Sequence, residues 1–255
     1  MTRLRVAAVQ HDIVWEEPEA NFERLAPWIA AAAAADARLV LLTEMYSTGF
    51  SMRTDVTAEP EGGPSTQFLT EQAKRHGLWV GGTIPERTQD ADRPFNTLVF
   101  AGPDGEAHRY RKIHPFTYSG EHEHFAAGES FVTVDIDGVR ITPFICYDLR
   151  FADEFWATAS RTDCYVVPAN WPDTRRHHWS TLLQARAIEN QAYVVGCNRV
   201  GDGGKLRYTG DSRIVDPMGR TLAAGAEAET LLLADVNPAV VAQTRERFPF
   251  AQDRR

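Results

Sequence analysis

The chain has 255 residues, of which 43% are hydrophobic and 24% are charged, a profile typical of a folded globular protein rather than a disordered one. Its formal net charge of -8 disfavours binding to nucleic acid or to an anionic membrane, because both partners require a basic surface. No apolar segment is long enough to span a bilayer and residues 1–10 contain no signal-peptide core, so we expect a cytoplasmic protein.

The N-terminal part of the chain alternates short apolar strands with longer helices. Residues 4–10 are predicted to form a buried strand. The alanine-rich stretch 18–37 is predicted to be a helix, because alanine favours helices and the apolar face continues along it. Residues 39–42 form an all-apolar strand of the kind that is covered on both faces, and a second helix is predicted over 65–76.

The rest of the chain contains more strands, hairpin turns and further helices. Strands are predicted at 79–85, 97–101, 107–111, 131–136, 139–145, 165–169, 193–198, 212–215 and 231–236. Turns at 102–105 and 137–138 connect neighbouring strands, and helices are predicted over 179–190 and 238–248. No linker, repeat or composition shift divides the chain, which predicts one domain over residues 1–255 with a layered α/β sandwich fold.

The cysteines are few and only one of them occupies a position suited to chemistry. Cys146, Cys164 and Cys197 form no CxxC pair, which argues against a disulfide framework and against zinc. Cys146 ends an apolar strand and precedes a predicted helix, a turn that exposes a side chain beside backbone N–H groups able to lower a thiol pKa and to bind an oxyanion. A lone cysteine is more often a small buried hydrophobe, and Cys164 and Cys197 fit that interpretation.

Two charged residues also stand at the ends of predicted strands. Glu44 follows the buried strand 39–42, a costly position for a carboxylate unless it is paired or functional. Lys112 follows the strand 107–111, where a lysine is usually solvated. Each residue alone has an ordinary structural explanation, so it is their combination with Cys146 that predicts a catalytic site.

Three segments resemble the nitrilase superfamily of carbon–nitrogen hydrolases. They are Leu-Leu-Thr-Glu at 41–44, Tyr-Arg-Lys-Ile-His at 110–114 and Cys-Tyr-Asp-Leu-Arg-Phe at 146–151, in the family's order. The resemblance covers nearly the whole chain and implies a four-layer α-β-β-α sandwich, with Glu44, Lys112 and Cys146 as catalytic residues. It also implies a homodimer at least, and Glu121 as a second glutamate of the site, with nearby Glu123 as the alternative.

Segments 170–172, 185–193 and 197–200 further resemble the omega-amidase branch of that superfamily. Its members hydrolyse the terminal amide of small dicarboxylate monoamides such as 2-oxoglutaramate and 2-oxosuccinamate. The residue types suit this chemistry, because a thiol nucleophile divides a difficult amide hydrolysis into two easier acyl transfers. Cys146 would attack with Glu44 as general base, and the oxyanion would lie between Lys112 and the backbone N–H of Tyr147.

A dicarboxylate monoamide also requires a group that binds its free carboxylate. Arginine is favoured because its guanidinium binds a carboxylate through two parallel hydrogen bonds. The candidates are Arg150, Arg175 and Arg176, and an ion pair of Arg150 with Asp148 or Asp153 is an equally good interpretation. The following aromatic residues are candidates for the walls of a small pocket, although each is also common in cores: Tyr46, Phe50, Phe116 and Trp171.

The predicted chemistry requires no metal and no other cofactor. His122 and His124 have metal-like spacing but no clear third ligand. The expected partner is therefore a small amide, without nucleic acid or membrane. Two alternatives remain: the same residues acting on an N-carbamoyl amine, a nitrile or an amide of deaminated glutathione, or a non-catalytic binding or assembly protein on the same scaffold.

Overall fold

The computed structural model of the protein describes residues 3–254, and this part of the chain contains two seven-stranded β-sheets. The strands are β1 (Leu4–Gln10), β2 (Leu39–Leu41), β3 (Glu59–Pro60), β4 (Trp79–Arg87), β5 (Phe95–Ala101), β6 (Ala107–Arg111), β7 (Val134–Ile136), β8 (Val139–Pro143), β9 (Cys164–Ala169), β10 (Tyr193–Asn198), β11 (Val200–Gly203), β12 (Leu206–Val215), β13 (Thr221–Ala226) and β14 (Thr230–Val236). The helices are α1 (Pro18–Ala34), α2 (Thr54–Thr57), α3 (Pro64–His76), α4 (Glu121–His124), α5 (Ala152–Thr158), α6 (Arg176–Asn190) and α7 (Pro238–Arg247).

The two sheets have similar strand orders. The first runs β14-β1-β2-β4-β5-β6, with β3 beside β4, and the second runs β11-β12-β10-β9-β8-β7, with β13 beside β12. Along both strand orders the central pairs are parallel and the outer pairs are antiparallel, whereas the additional strand β3 pairs with β4 in parallel. Two antiparallel pairings separate β4 from β6, so β2, β4 and β6 all end at the same edge of the first sheet.

Strand β1 shows how the layers arise, because its successive side chains point to opposite faces of the sheet. Leu4, Val6 and Ala8 join the core shared with the second sheet. Ala7 and Val9 join a separate core with α1 and α3. Helix α6 packs on β10 and β12 at the far side of the second sheet. The order of layers is therefore helix, sheet, sheet, helix, which confirms the expected α-β-β-α sandwich.

Several element ends differ from the predicted ones for local reasons. Helix α1 ends three residues early, because Asp36 has a left-handed backbone (φ +60°) that a right-handed helix cannot include. Strand β8 ends at Pro143, because the N–H of Ile145 bonds to the Asp148 carboxylate (3.0 Å) instead of to a neighbouring strand. Strands β11 and β13 were not predicted, since both are rich in glycine or alanine and lack apolar alternation.

The fold brings together the ends of strands from both sheets. Glu44 lies beyond β2 and Lys112 directly follows β6, so both stand at the same edge of the first sheet. Cys146 lies beyond β8 of the second sheet. Among residues 3–254, no helix is both long enough and apolar enough to cross a membrane.

Candidate active site

Cys146 begins a tight 3₁₀ turn, Cys146–Arg150, with an unusual backbone conformation. Its φ of +45° lies in the left-handed region, which costs a non-glycine residue roughly 1–3 kcal/mol. Its side chain lines a cavity, whereas Cys164 and Cys197 are fully buried elsewhere in the core. The strained turn therefore presents this sulfur to a space that a small molecule can enter.

The buried carboxylate of Asp148 holds this turn in place through hydrogen bonds. Its carboxylate accepts hydrogen bonds from the backbone N–H of Ile145 (3.0 Å), the hydroxyl of Tyr110 (2.8 Å) and the backbone N–H of His114 (2.9 Å). Tyr110 belongs to β6 of the first sheet, whereas the nucleophile turn follows β8 of the second. The buried Asp148 thus links the two sheets beside Cys146, and it holds the turn in register with the segment that carries Lys112.

Three buried charges form a compact cluster next to the turn. Lys112 Nζ lies 2.8 Å from Glu44 Oε1 and 2.9 Å from Glu121 Oε2, and all three side chains are at most 1% exposed. The amide of Asn96 donates to Oε1 of both carboxylates, at 2.8 Å for Glu44 and 3.1 Å for Glu121. One ammonium and one neutral amide therefore hold two like charges together in the protein interior.

Asn170 completes the environment of Glu44. Its backbone N–H donates to Glu44 Oε2 (2.8 Å) and its side-chain amide donates to the Glu44 backbone carbonyl (2.6 Å). Oε1 accepts from two donors, Lys112 and Asn96, whereas Oε2 accepts only from Asn170 within residues 3–254. A carboxylate oxygen has two lone pairs, so Oε2 is the atom free to receive a proton.

The pKa values of the cluster follow from burial and from these charges. Burial lowers the pKa of Lys112, but the carboxylates of Glu121 and Glu44 raise it by more, so the group stays an ammonium. Burial raises the pKa of Glu121 above its usual range, with Lys112 opposing the effect. Burial and the Glu44 carboxylate raise the pKa of Cys146 well above the usual thiol value. This differs from the expectation that backbone N–H groups lower it, and it makes the resting group a neutral thiol that requires a base.

The cavity beside Cys146 has a volume of about 470 Å³, including its open mouth. Its lining residues are Phe50, Phe116, Ser119, Cys146, Tyr147, Arg150, Asn170, Trp171, Pro172, Arg175, Leu206 and Tyr208. The guanidinium carbon of Arg150 lies 4.8 Å from the ring centre of Trp171, and that of Arg175 lies 5.6 Å from the ring centre of Phe116. Aromatic faces therefore support both cations at the wall of the cavity.

Arg150 does not form the ion pair that its neighbours in sequence allow. Its guanidinium contacts Nδ1 of His178 at 3.2 Å, and within residues 3–254 it makes no ion pair with Asp148 or Asp153. Burial and the nearby Arg175 lower its pKa. Both arginines are half-buried and lack a carboxylate partner in the described chain, so the cavity can receive an anionic group.

Two residues predicted to bind substrate lie away from the cavity. Arg176 is exposed at the start of α6 and pairs with Asp211 (2.7 Å) and Glu227 (3.3 Å). Tyr46 is fully buried in the core under α1 and α3, where its hydroxyl donates to the backbone carbonyl of Ser65 (2.6 Å).

The alternative glutamate, Glu123, is exposed, whereas Glu121 belongs to the buried cluster. No group of residues within 3–254 is arranged to hold a metal ion.

Sequence reasoning missed three residues that complete the site. Asn170 lay in a segment already noted for its resemblance, so its amide could have been considered for a role. Asn96 lies inside β5 and Tyr208 inside β12, and neither carries a local signal, since a polar residue in a strand is ordinary. Only the assembled fold shows that both reach the catalytic region.

Comparisons with known proteins agree on one family. The model of the family described as carbon-nitrogen hydrolase matches residues 5–246. Omega-amidase YafV of Escherichia coli is 36% identical, covering 99% of this chain and 97% of the relative. The 2-oxoglutaramate amidase of Bacillus subtilis is 32% identical, covering 97% and 96%. A crystal structure of a CN-hydrolase superfamily protein from Xanthomonas campestris, with an arsenic adduct in its active site, superposes with a TM-score of 0.94 at 36% identity, covering 100% of this chain and 98% of that one.

Proposed function

The chain belongs to the carbon–nitrogen hydrolase family, and from this membership we propose that it hydrolyses the terminal amide of small dicarboxylate monoamides, 2-oxoglutaramate and 2-oxosuccinamate among them. Relatives named omega-amidase and 2-oxoglutaramate amidase support this substrate class. One observation carries the proposal: a nucleophile and two arginines without acidic partners in residues 3–254 line one cavity, and a buried base paired with a lysine is bonded to Asn170 of the cavity wall. The products are the dicarboxylate and ammonia.

The first half of the reaction forms a thioester on Cys146. Oε2 of Glu44 takes the thiol proton as Sγ attacks the amide carbon. The thiol needs this base, because burial and the Glu44 carboxylate raise its pKa. Negative charge develops on the carbonyl oxygen, where the Lys112 ammonium and the Tyr147 backbone N–H stabilise it. Each such donor contributes about 2.7–4 kcal/mol. Glu44 then gives its proton to the departing nitrogen, and ammonia leaves.

The second half hydrolyses the thioester and restores the enzyme. Glu44 accepts a proton from water as the water oxygen attacks the acyl carbon, and the same two donors stabilise the second oxyanion. When the C–S bond breaks, the proton on Glu44 returns to Sγ and the dicarboxylate is released. Glu121 does not exchange protons in this scheme, because Lys112, Asn96 and Phe116 occupy its oxygens and use it to hold Lys112 in place.

Arg150 and Arg175 are the proposed partners of the free carboxylate. Both line the cavity and both are supported by an aromatic ring, so their positions are set before the substrate binds. A guanidinium already free of acidic partners does not have to break an existing pair to bind a carboxylate. The unreactive end of the substrate would therefore be fixed while its amide faces Cys146.

The same catalytic residues also suit other acyl groups, and a substrate panel tests the choice. We expect steady-state ammonia release to be most efficient with 2-oxoglutaramate, compared with an N-carbamoyl amine and an amide of deaminated glutathione. Equal or higher kcat/KM on either alternative would reject the proposed substrate class. A chain without turnover on any of them would favour the non-catalytic binding role.

Substitution of the nucleophile tests the mechanism itself. Cys146→Ala should remove turnover, with a loss on the order of 10⁴-fold or more, while the circular dichroism spectrum stays unchanged. Cys164→Ala is the matched control, because it removes a fully buried thiol outside the cavity and should retain most activity. Mass spectrometry after alkylation should find modification at Cys146 before Cys164 or Cys197. Retained hydrolysis in Cys146→Ala would contradict the assignment.

We also propose that the protein acts as a homodimer, as the family resemblance implies, and that it resides in the cytoplasm. Size-exclusion chromatography with light scattering checks the first part, and a monomeric mass at micromolar concentration would contradict it.

A further inference from the structure

Tyr208 differs from three buried tyrosines of this protein, Tyr46, Tyr110 and Tyr165. The hydroxyls of Tyr46, Tyr110 and Tyr165 donate hydrogen bonds at 2.6, 2.8 and 2.7 Å. Tyr208 is only 5% exposed and lines the catalytic cavity, yet its hydroxyl forms no hydrogen bond with any residue in 3–254. The Tyr208 hydroxyl is not among the fully enclosed unpaired polar atoms of the described residues, so it is accessible from the cavity and available to a ligand as a hydrogen-bonding partner.

A buried arginine supports the tyrosine ring from behind. The guanidinium carbon of Arg199 lies 4.7 Å from the ring centre of Tyr208, and Arg199 is fully buried. Arg199 is held by the Asp12 carboxylate (2.8 Å) and the Asp202 carbonyl (2.9 Å). Gly203 leaves the space for this contact, since a Cβ there would lie 2.6 Å from Arg199 Nη1 and 3.1 Å from Tyr208 Cε2. The ring is thus fixed in one position.

The state of the hydroxyl suits a hydrogen-bond donor. Burial raises the pKa of Tyr208 to about 12, with Arg199 opposing the effect, so the phenol keeps its proton at neutral pH. The reacting groups Cys146 and Glu44 and the cation of Arg175 also influence this pKa. Tyr208 lines the same cavity as Cys146 and Arg175, so it borders the space that a bound substrate would occupy between them.

A dicarboxylate monoamide with its amide at Cys146 and its carboxylate at Arg150 and Arg175 places its central carbons in that space. In 2-oxo monoamides, the ketone oxygen is the one acceptor among those carbons. We propose that the Tyr208 hydroxyl donates a hydrogen bond to the 2-oxo oxygen, so that the enzyme selects 2-oxo monoamides over the corresponding unsubstituted ones. This inference rests on the proposed function and adds a specificity-determining residue to it.

The test compares two substrates that differ only at this oxygen. For the wild-type chain and for Tyr208→Phe, kcat/KM is measured with 2-oxoglutaramate and with glutaramate, which has a methylene in place of the ketone. We expect the wild type to prefer 2-oxoglutaramate and the variant to lose about tenfold of that preference, because one hydrogen bond is removed. Tyr118→Phe, which removes an 86% exposed hydroxyl, is the matched control and should keep the wild-type ratio.

The substrate ratio separates recognition from a general structural effect. Damage to folding in Tyr208→Phe would lower both rates together and leave the ratio unchanged, and this result would overturn the inference. A wild type that does not distinguish the two amides would overturn it as well, while leaving the amidase proposal intact. A wild type that hydrolyses neither amide would reject the proposed function, and the recognition of the 2-oxo group with it.

Discussion

The two sides of the cavity satisfy their polar groups in different ways. On the reacting side, Glu44, Lys112 and Glu121 are almost completely buried and bonded to one another and to Asn96. On the opposite functional side, Arg150 and Arg175 are half-buried cations without a carboxylate partner in residues 3–254, and the Tyr208 hydroxyl has no protein partner there.

This difference separates preorganisation from recognition. Catalytic groups that are held in place before substrate arrives need little rearrangement when charge develops in the transition state. Binding groups without protein partners gain theirs only from the substrate, so binding energy depends on its carboxylate and its central oxygen. The contrast predicts that substitutions on the reacting side change stability and kcat together, whereas those on the binding side change KM and substrate choice.

The largest expected effect tests the paired side. Lys112→Ala removes an oxyanion donor and should lower kcat roughly 10²- to 10³-fold. It also leaves two buried carboxylates without their cation, which should reduce the free energy of unfolding by about 3–5 kcal/mol. Ammonia release and urea denaturation measure the two effects, with Lys74→Ala on the exposed side of α3 as the control. A near-normal rate would remove Lys112 from the oxyanion site, and unchanged stability would contradict the paired cluster.

A second prediction compares Lys112 with a buried base that has no carboxylate partner among residues 3–254. His11 is 1% exposed, and burial lowers its pKa from 6.5 to about 4, the direction opposite to that of Lys112. The native state then binds fewer protons than the unfolded state between these pH values. Stability from the neutral ring is complete above pH 6.5 and is lost as the pH falls through 6.5 towards 4, by up to about 3 kcal/mol.

Urea unfolding between pH 7 and 4.5 measures this loss. His11→Gln should flatten the curve relative to the wild type, because glutamine carries no titrating proton. The exposed His122→Gln is the control and should follow the wild-type curve. If His11→Gln and the wild type lost stability in parallel as the pH falls, the absence of a carboxylate partner would not explain why the pKa of His11 is lowered while that of Lys112 is raised.

The smallest effects distinguish two adjacent arginines. Arg175→Ala should raise KM for 2-oxoglutaramate roughly tenfold to a hundredfold with little change in kcat, because it removes a charged hydrogen-bonding partner of the carboxylate. Arg176→Ala should leave KM unchanged, since Arg176 pairs with Asp211 on the surface. Propionamide, which has no carboxylate, should show no difference between the two variants. Equal effects of both substitutions on 2-oxoglutaramate would contradict the assigned binding wall.

The sequence predicted the layers of the fold and the superfamily, and both are confirmed. It also named Glu44, Lys112, Glu121 and Cys146, and the structure places them in one region. Glu44, Lys112 and Cys146 were accessible because each follows a predicted strand, and strand ends are visible as the limits of apolar runs, whereas Glu121 was named only from the family resemblance.

The remaining site residues depend on directions that a local pattern does not contain. Tyr46, two residues after Glu44, was expected as an aromatic wall of the cavity. Between them, Met45 has a left-handed backbone (φ +45°), and Tyr46 enters the core beneath α1 and α3 instead. Arg175 and Arg176 are neighbours at the start of α6, yet one faces the cavity and the other faces Asp211. Whether a side chain reaches the site was decided by single dihedral angles and by helix phase.

The hydrogen bonds of Asp148 make the spacing between the two sheets a catalytic parameter. Its one carboxylate is bonded to β6 of the first sheet and to the nucleophile turn of the second, so the sulfur and the ammonium lie on opposite layers but share a common anchor. A substitution that thickens or thins the core between the layers would alter the attack distance without touching any reacting group. Core volume and turnover rate should therefore vary together among variants of this protein, and engineering for thermal stability should preserve that thickness.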